Sequence, residues 1–225
     1  MPALVQMRIN EGLYRRDPTE TSLGRKLLSE SVRLIDELGM EGFTFKKLAK
    51  ESSSTEASVY RYFTSKQQLL NYLFAWYWSW LEYRLTQRTA NISDPQRRLK
   101  LAIGVLAESL EDDPGTPYIN EALLHKIVTT ESDRSLLTHN LRKGGPPQNL
   151  EAYASLCSTL ARYIQAMSPE FPYPQALTVT LLAATHRQRF YAEYFPDVTE
   201  VKSHDSDPQA LAQFLELLVF SVLNG

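Results

Sequence analysis

Hydroxyl groups and cations crowd residues 42–66, GFTFKKLAKESSSTEASVYRYFTSK. Lys46, Lys47, Thr55, Ser58, Tyr60, Arg61, Tyr62 and Lys66 surround a small apolar set, Phe45, Leu48, Ala49, Val59 and Phe63. Side chains of these types grip phosphate oxygens, and a few of them can read base edges. Catalysis would instead need a nucleophile with its base, or two acids in register. The nearest acidic group, Glu108, Glu111, Asp112 and Asp113, stands before Pro114 and reads as a solvated helix end. His125, His139, His186 and His204 lack ligand spacing, and the sequence has no HExxH, phosphate-binding loop, dinucleotide fingerprint or GxSxG. No metal, no cofactor and no enzymatic activity are expected.

The elements that must carry these groups are short. Thr44 is an N-cap for a helix through Glu51, with Phe45, Leu48 and Ala49 buried. The run Ser52, Ser53, Ser54 interrupts it, and a third helix follows over 55–62, with Ser53 and Glu56 as a capping box at its start. A preceding helix over 21–38, striped by Leu28, Val32, Ile35 and Leu38 and ended by Gly39, braces the pair. Two helices too short to stand alone, joined by about four residues, have the form of a helix-turn-helix reader. Its second helix would enter a major groove, where each base pair shows a distinct donor and acceptor pattern.

The rest is longer in period. Thr64 with Gln67 opens a helix to residue 87 bearing Tyr72, Phe74, Trp76, Tyr77, Trp78, Trp80 and Tyr83; Asp94 and Pro95 open the next, with Leu99, Ile103, Leu106 and Leu110 buried. Helical pieces are expected over 118–129 and 132–141, a loop at KGGPP, then helices over 148–167, 175–194 and 208–223. No period-two alternation competes, so the fold class is all-α. Residues 1–20 carry Pro2, Gly12 and Pro18 without a period and read as a flexible arm. With 225 residues, 43% of them hydrophobic, the chain can bury a real core. The net charge of −2 excludes a protein that coats nucleic acid by bulk charge, yet residues 1–70 hold 11 Lys and Arg against 9 Asp and Glu. Cys157 is the one cysteine and reads as a buried, inert thiol; such sparing use fits a reducing cytoplasm. Neither a membrane span nor a signal peptide is expected.

The reader segment resembles the TetR family of transcriptional repressors. The features that carry the likeness are Thr44, Phe45, Lys46, Lys47, Leu48 and Ala49, a short turn, then Tyr60, Tyr62, Phe63 and Lys66, from the first helix to Leu70. The resemblance implies a homodimer with an N-terminal reader for a double-stranded DNA operator and a helical body that binds a small effector and pairs through its last two helices. It implies an arm at 1–20, a DNA-binding domain at 21–68 and an effector and dimerisation domain at 69–225. Carried over by position, Thr44, Lys46, Thr55, Tyr60, Tyr62 and Lys66 face phosphates, with Arg61 beside them, and Glu56, Ala57 and Ser58 face bases. Two departures stand out: Ser53 where the family's turn carries glycine, and Glu56 where the reader helix often begins with a cation. Ser53 would cost about 1 kcal/mol if that position needs positive φ. Glu56 reads either as a helix cap or as an acceptor for a cytosine amino group.

In the body, the aromatic excess marks a core, an apolar pocket or a partner surface. Tyr77, Trp80, Tyr153, His186 and Arg187 are the effector candidates, in a pocket expected among the helices over 66–87, 99–110, 150–167 and 175–194. The last helix is apolar on too many faces for one-sided packing, so Phe190, Leu211, Phe214 and Leu218 are expected at the dimer interface. The rival reading is a helical binding or scaffold protein that keeps the module without binding DNA, and a helical enzyme is more distant.

Overall fold

The computed structural model describes residues 7–108, 115–138, 150–203, 206–207 and 209–224, and side chains in all of these except 132–138. The described residues form α1 (Ser22–Gly42), α2 (Phe45–Glu51), α3 (Glu56–Tyr60), α4 (Lys66–Thr89), α5 (Pro95–Ala107), α6 (Glu121–Thr138), α7 (Leu150–Met167), α8 (Pro174–Tyr194) and α9 (Ala210–Asn224). No strand occurs among them, as the all-α expectation requires. The chain divides into two compact units, 1–79 with 110–153 and 80–109 with 154–225, so the division falls inside α4.

In the first unit α1 packs on α2 and α6, and α2 packs on α3. Leu27, Leu28, Val32 and Ile35 of α1 are almost wholly enclosed, as are Leu48, Val59 and Phe63. Burying each such side chain contributes about 1.5–3 kcal/mol relative to leaving it in water, which is what makes helices of seven and five residues viable. Gly39 breaks the regular course of α1 with φ 66°, a conformation that needs no Cβ, and the Phe43 N–H then returns to the Gly39 carbonyl at 3.0 Å. Arg33 joins Glu30, Glu37 and Glu51, linking α1 to α2, and Lys126 of α6 reaches Asp36 of α1 at 2.8 Å. From Tyr72 to Trp78, α4 is buried on every face, so this stretch serves as an axis.

In the second unit α9 packs on α5 and α8. Asp94 caps α5 through the Arg97 N–H at 2.9 Å, with Pro95 at the first helical position, and Leu99, Ile103 and Leu106 are buried. Asp207 accepts from the Gln209 N–H at 3.0 Å ahead of α9. Leu110, the KGGPP loop and Pro208 lie outside the described residues.

Three local expectations change. The pieces expected over 118–129 and 132–141 are one helix, α6, because nothing in its middle forces a stop. The box expected from Thr64 and Gln67 is shifted by one residue: the Gln68 N–H donates to Ser65 Oγ at 3.1 Å, while the Gln68 side-chain carbonyl accepts from the Thr64 N–H at 2.7 Å. Residues 7–20, expected as a loose arm, are folded against the first unit by two 3-10 turns, Glu11–Leu13 and Pro18–Glu20, with Met7, Leu13 and Pro18 buried.

Candidate nucleic-acid interface

The turn between α2 and α3 is held by its own hydroxyls. Buried Ser52 donates to the Leu48 carbonyl at 2.7 Å and shares a hydrogen bond with Ser54 at 2.9 Å, while the Ser54 N–H reaches the Ala49 carbonyl at 2.8 Å. Closing the chain this tightly drives Ser53 to φ 54°, the left-handed region favoured by glycine. The cap on α3 is Thr55, whose Oγ1 accepts from the Ser58 N–H at 3.2 Å and shares a hydrogen bond with the Ser58 hydroxyl at 3.0 Å. The expected Ser53–Glu56 box is therefore absent, since Ser53 already lies in the turn. Glu56 opens α3 exposed to solvent, where its charge favours the helix N-terminus.

Most of the expected docking residues share the surface of this small unit. Thr44, Lys46, Thr55, Glu56, Ala57, Tyr60, Arg61 and Lys66 are exposed, and Ser58 is half-buried. Thr44 caps α2 through the Lys47 N–H at 3.2 Å, so its hydroxyl is fixed at the start of that helix. The Tyr60 ring stands edge-on to Phe45 at 5.1 Å, leaving the residue 45% exposed. Lys66 Nζ donates to the Met40 carbonyl at 2.7 Å, which places an ammonium with further donor capacity at the end of α1.

Tyr62 does not belong with them. It is 3% exposed and its hydroxyl shares a 2.8 Å hydrogen bond with Thr21 Oγ1. Tyr60 is the last residue of α3 and Tyr62 lies in the turn beyond it, where the chain turns its ring inward towards Thr21. The Tyr-x-Tyr spacing combines one surface tyrosine with one that ties the reader to the start of α1.

The strap formed by residues 7–20 runs beside the end of α3. The Arg15 N–H donates to the Tyr62 carbonyl at 2.8 Å and Arg15 Nη1 to the Tyr60 carbonyl at 3.3 Å. Gln68 Nε2 donates to the Gly12 carbonyl at 3.2 Å, and Tyr14 packs edge-on to Tyr72 at 6.0 Å. Burial, then Asp17, raises the Tyr72 phenol well above its ordinary range. Only the second turn of this strap has a local sign: Asp17 before Pro18 repeats the cap seen at Asp94 and Pro95, and Asp17 Oδ1 accepts from the Thr19 N–H at 2.8 Å.

The effector candidates divide between the units. In the first, Tyr77 is buried with its hydroxyl 2.7 Å from His125 Nδ1, and Tyr153 packs edge-on to Trp78 at 5.0 Å. In the second, Trp80 is buried beneath the Arg84 guanidinium at 5.0 Å, and Arg187 is exposed. Burial, followed by the charges of Arg189 and Arg187, lowers the His186 imidazole to about 4, so it is neutral at pH 7. Glu108 is more than a solvated helix end, because Arg84 and Arg88 both reach it at 2.9 Å. Arg189, which the sequence did not single out, donates to the Leu106 carbonyl at 2.7 Å and to the Glu108 carbonyl.

Of the expected interface residues, Leu211 is turned inward. It is buried within its own chain with Leu215 and Val219, on the stripe by which α9 meets its neighbours. Phe214 and Leu218 are half-buried, while Leu217 at 68% and Val222 are exposed on the outer side. Phe190 is half-buried in a cluster with exposed Tyr191, Tyr194 and Phe195. Among the described residues no group of three or more His, Cys, Asp or Glu is placed to hold a metal ion, and no helix is long and apolar enough to cross a membrane.

Residues 27–73 match the family model for bacterial regulatory proteins of the tetR family. No curated protein matches the chain. Among solved structures, AibR in complex with isovaleryl coenzyme A and operator DNA is 17% identical, with a TM-score of 0.60 over 87% of this chain and 98% of that one. The transcriptional regulator FadR from Bacillus subtilis in complex with stearoyl-CoA is 14% identical, with a TM-score of 0.61 over 89% and 97%. The superantigen PfiT is 17% identical, with a TM-score of 0.64 over 93% and 100%. At such identities these likenesses concern the fold.

Proposed function

We propose that this chain, whose residues 27–73 match the tetR family model, is a TetR-family regulator: a homodimeric, sequence-specific DNA-binding repressor whose helical body takes a small apolar or aromatic effector. The observation that carries the reading is the shared exposure of Thr44, Lys46, Thr55, Glu56, Ala57, Tyr60 and Arg61 on one small helical unit. The α3 helix enters a major groove of an operator and presents Glu56, Ala57 and Ser58 to base edges. Thr44, Lys46, Tyr60, Arg61 and Lys66 hold phosphates on either side and set the register.

Two copies paired through α8 and α9 supply two readers for an operator whose half-sites lie one turn of duplex, about 34–36 Å, apart. Exposed Leu217, Val222, Tyr191, Tyr194 and Phe195 support such pairing, because a large apolar patch on a soluble chain calls for a cover. An effector that binds one subunit arrangement better than the other shifts the population away from that spacing and releases DNA. Effector binding is supported by the two similar structures that hold acyl-coenzyme A thioesters. The likeness to a superantigen favours a second reading, in which the same fold serves as a protein-binding body without DNA.

Selection of genomic fragments by the purified protein, followed by sequencing, separates the two. The regulator yields a recurring pseudo-palindromic site, and the protein-binding body yields none. On the recovered site, Tyr60→Phe removes one hydroxyl and keeps the ring against Phe45. Losing a hydrogen bond to a charged phosphate weakens binding by about 1.5–3 kcal/mol. Unchanged affinity would remove Tyr60 from the docking face.

A further inference from the structure

Arg15 and Arg16 are positioned by the fold rather than left on a mobile arm. Arg15 is fixed at its backbone to the Tyr62 carbonyl at 2.8 Å and at its guanidinium to the Tyr60 carbonyl at 3.3 Å. The Arg16 guanidinium lies over the Tyr62 ring, 5.9 Å from its centroid. Both residues are nonetheless exposed, and neither joins an ion pair among the described residues. The neighbouring acid, Asp17, is engaged with the N–H and hydroxyl of Thr19 at 2.8 and 2.7 Å. A guanidinium has five N–H donors, so one bond to the Tyr60 carbonyl leaves most of the fork for another acceptor.

The place of these charges matters as much as their number. Tyr60 and Arg61, to which Arg15 is adjacent, are exposed at the C-terminal end of α3. Two further cations there extend the positive surface beyond the helix-turn-helix, and their partial immobilisation lowers the ordering cost of a contact.

We propose that Arg15 and Arg16 form a second grip on duplex DNA, contacting backbone phosphates beside the groove that α3 enters. The grip rests on the DNA-binding reading given above, adds affinity without reading sequence, and makes the strap part of the interface.

The experiment compares the full-length chain with Arg15→Gln/Arg16→Gln and Arg15→Lys/Arg16→Lys, each titrated with the selected operator duplex at several salt concentrations. Each phosphate neutralised contributes about 0.9 to the slope of log K against log salt, so the glutamine variant loses about 1.8 per subunit bound. The lysine variant restores the slope, since it returns the charges although it loses the fork. Lys46→Gln, outside the strap, lowers the slope by about 0.9 per subunit and reports on the docking face itself. A parent chain that binds no duplex overturns both readings. A parent that binds, with a slope shared by the glutamine variant, overturns the second grip alone. Equal weakening in the glutamine and lysine variants at constant slope also overturns it, because the strap would then be only a brace.

Discussion

Gly24→Ala tests the strap through a contact that only a hydrogen atom fits. Gly24 lies buried in the first turn of α1, its N–H donating to Thr21 Oγ1 at 2.9 Å. A Cβ at this position would sit 2.6 Å from Pro18 Cα and 2.8 Å from the Pro18 carbonyl carbon, and closer still to the carbonyl oxygen. Carbon atoms in contact prefer about 3.5–4.0 Å, so the Pro18 backbone would have to retreat by roughly 1 Å. It cannot do so freely, because Pro18 is buried and the next carbonyl, of Thr19, accepts from Arg25 Nη1 at 2.6 Å. Overpacking of this kind costs about 1–3 kcal/mol, against which alanine returns up to about 1 kcal/mol of helix propensity.

The propensity gain can be measured separately at Gly104 in α5, where an added Cβ meets nothing within 4 Å. Gly104→Ala should therefore stabilise the chain by about 0.5–1 kcal/mol. The difference between the two variants in urea unfolding reads the clash, about 1–3 kcal/mol. A second readout is local: displacing the strap should speed tryptic cleavage after Arg15 and Arg16 in Gly24→Ala and leave Gly104→Ala unchanged. If Gly24→Ala gains as much stability as Gly104→Ala and resists trypsin like the parent, the strap does not pack on α1 and the reasoning fails.

At the reader turn, Ser53→Gly should raise stability by about 0.5–1 kcal/mol in thermal unfolding, since it relieves a left-handed serine and gives back part of the gain as unfolded-chain entropy; a loss would mean the turn does not need that conformation. His186 binds its proton more weakly folded, at about 4, than unfolded, at about 6.5. The unfolded state then holds more protons between these values, so the contribution is complete above about pH 6.5 and is lost as pH falls towards 4, by at most about 3 kcal/mol. Unfolding curves of His186→Gln should lack that part of the acid sensitivity, and identical pH profiles would contradict it. On α9, Leu217→Glu should leave the subunit folded and shift sedimentation from dimer to monomer, whereas Leu215→Glu, inside the core, should unfold it. A parent that sediments as a monomer at micromolar concentration would rule out pairing through this face.

Much of the fold was legible because its determinants are short in range. Thr44 and Asp94 each announce a helix start through a bond to the N–H three residues on, and both act as expected, whereas Gly39, expected to end the first helix, breaks α1 from within and the helix runs on to Gly42. The errors arose where two such signals competed. Thr64 and Ser65 can both cap α4, and Ser53 and Thr55 can both precede α3; the turn geometry decided for Ser65 and Thr55. Nothing local between the two expected pieces forces a stop, so the chain continues as one α6, which packs against α1.

The candidate interface was legible for a related reason, and incomplete for the opposite one. Residue types at 44–66 are those the proposed phosphate contacts need, but type alone gives Tyr62 the same role as Tyr60, and only the folded chain sets Tyr60 outward at the end of α3 and Tyr62 inward against Thr21 in the turn beyond it. The strap was missed because its bonds span more than forty residues in sequence: Arg15 to Tyr62, Gly12 to Gln68 and Tyr14 to Tyr72 leave no period in 7–20 itself. That same long reach links the two findings. The Tyr62 that is withdrawn from the surface is the residue whose carbonyl and ring receive Arg15 and Arg16, so the position removed from the proposed docking face is the one that holds the two cations of the proposed second grip.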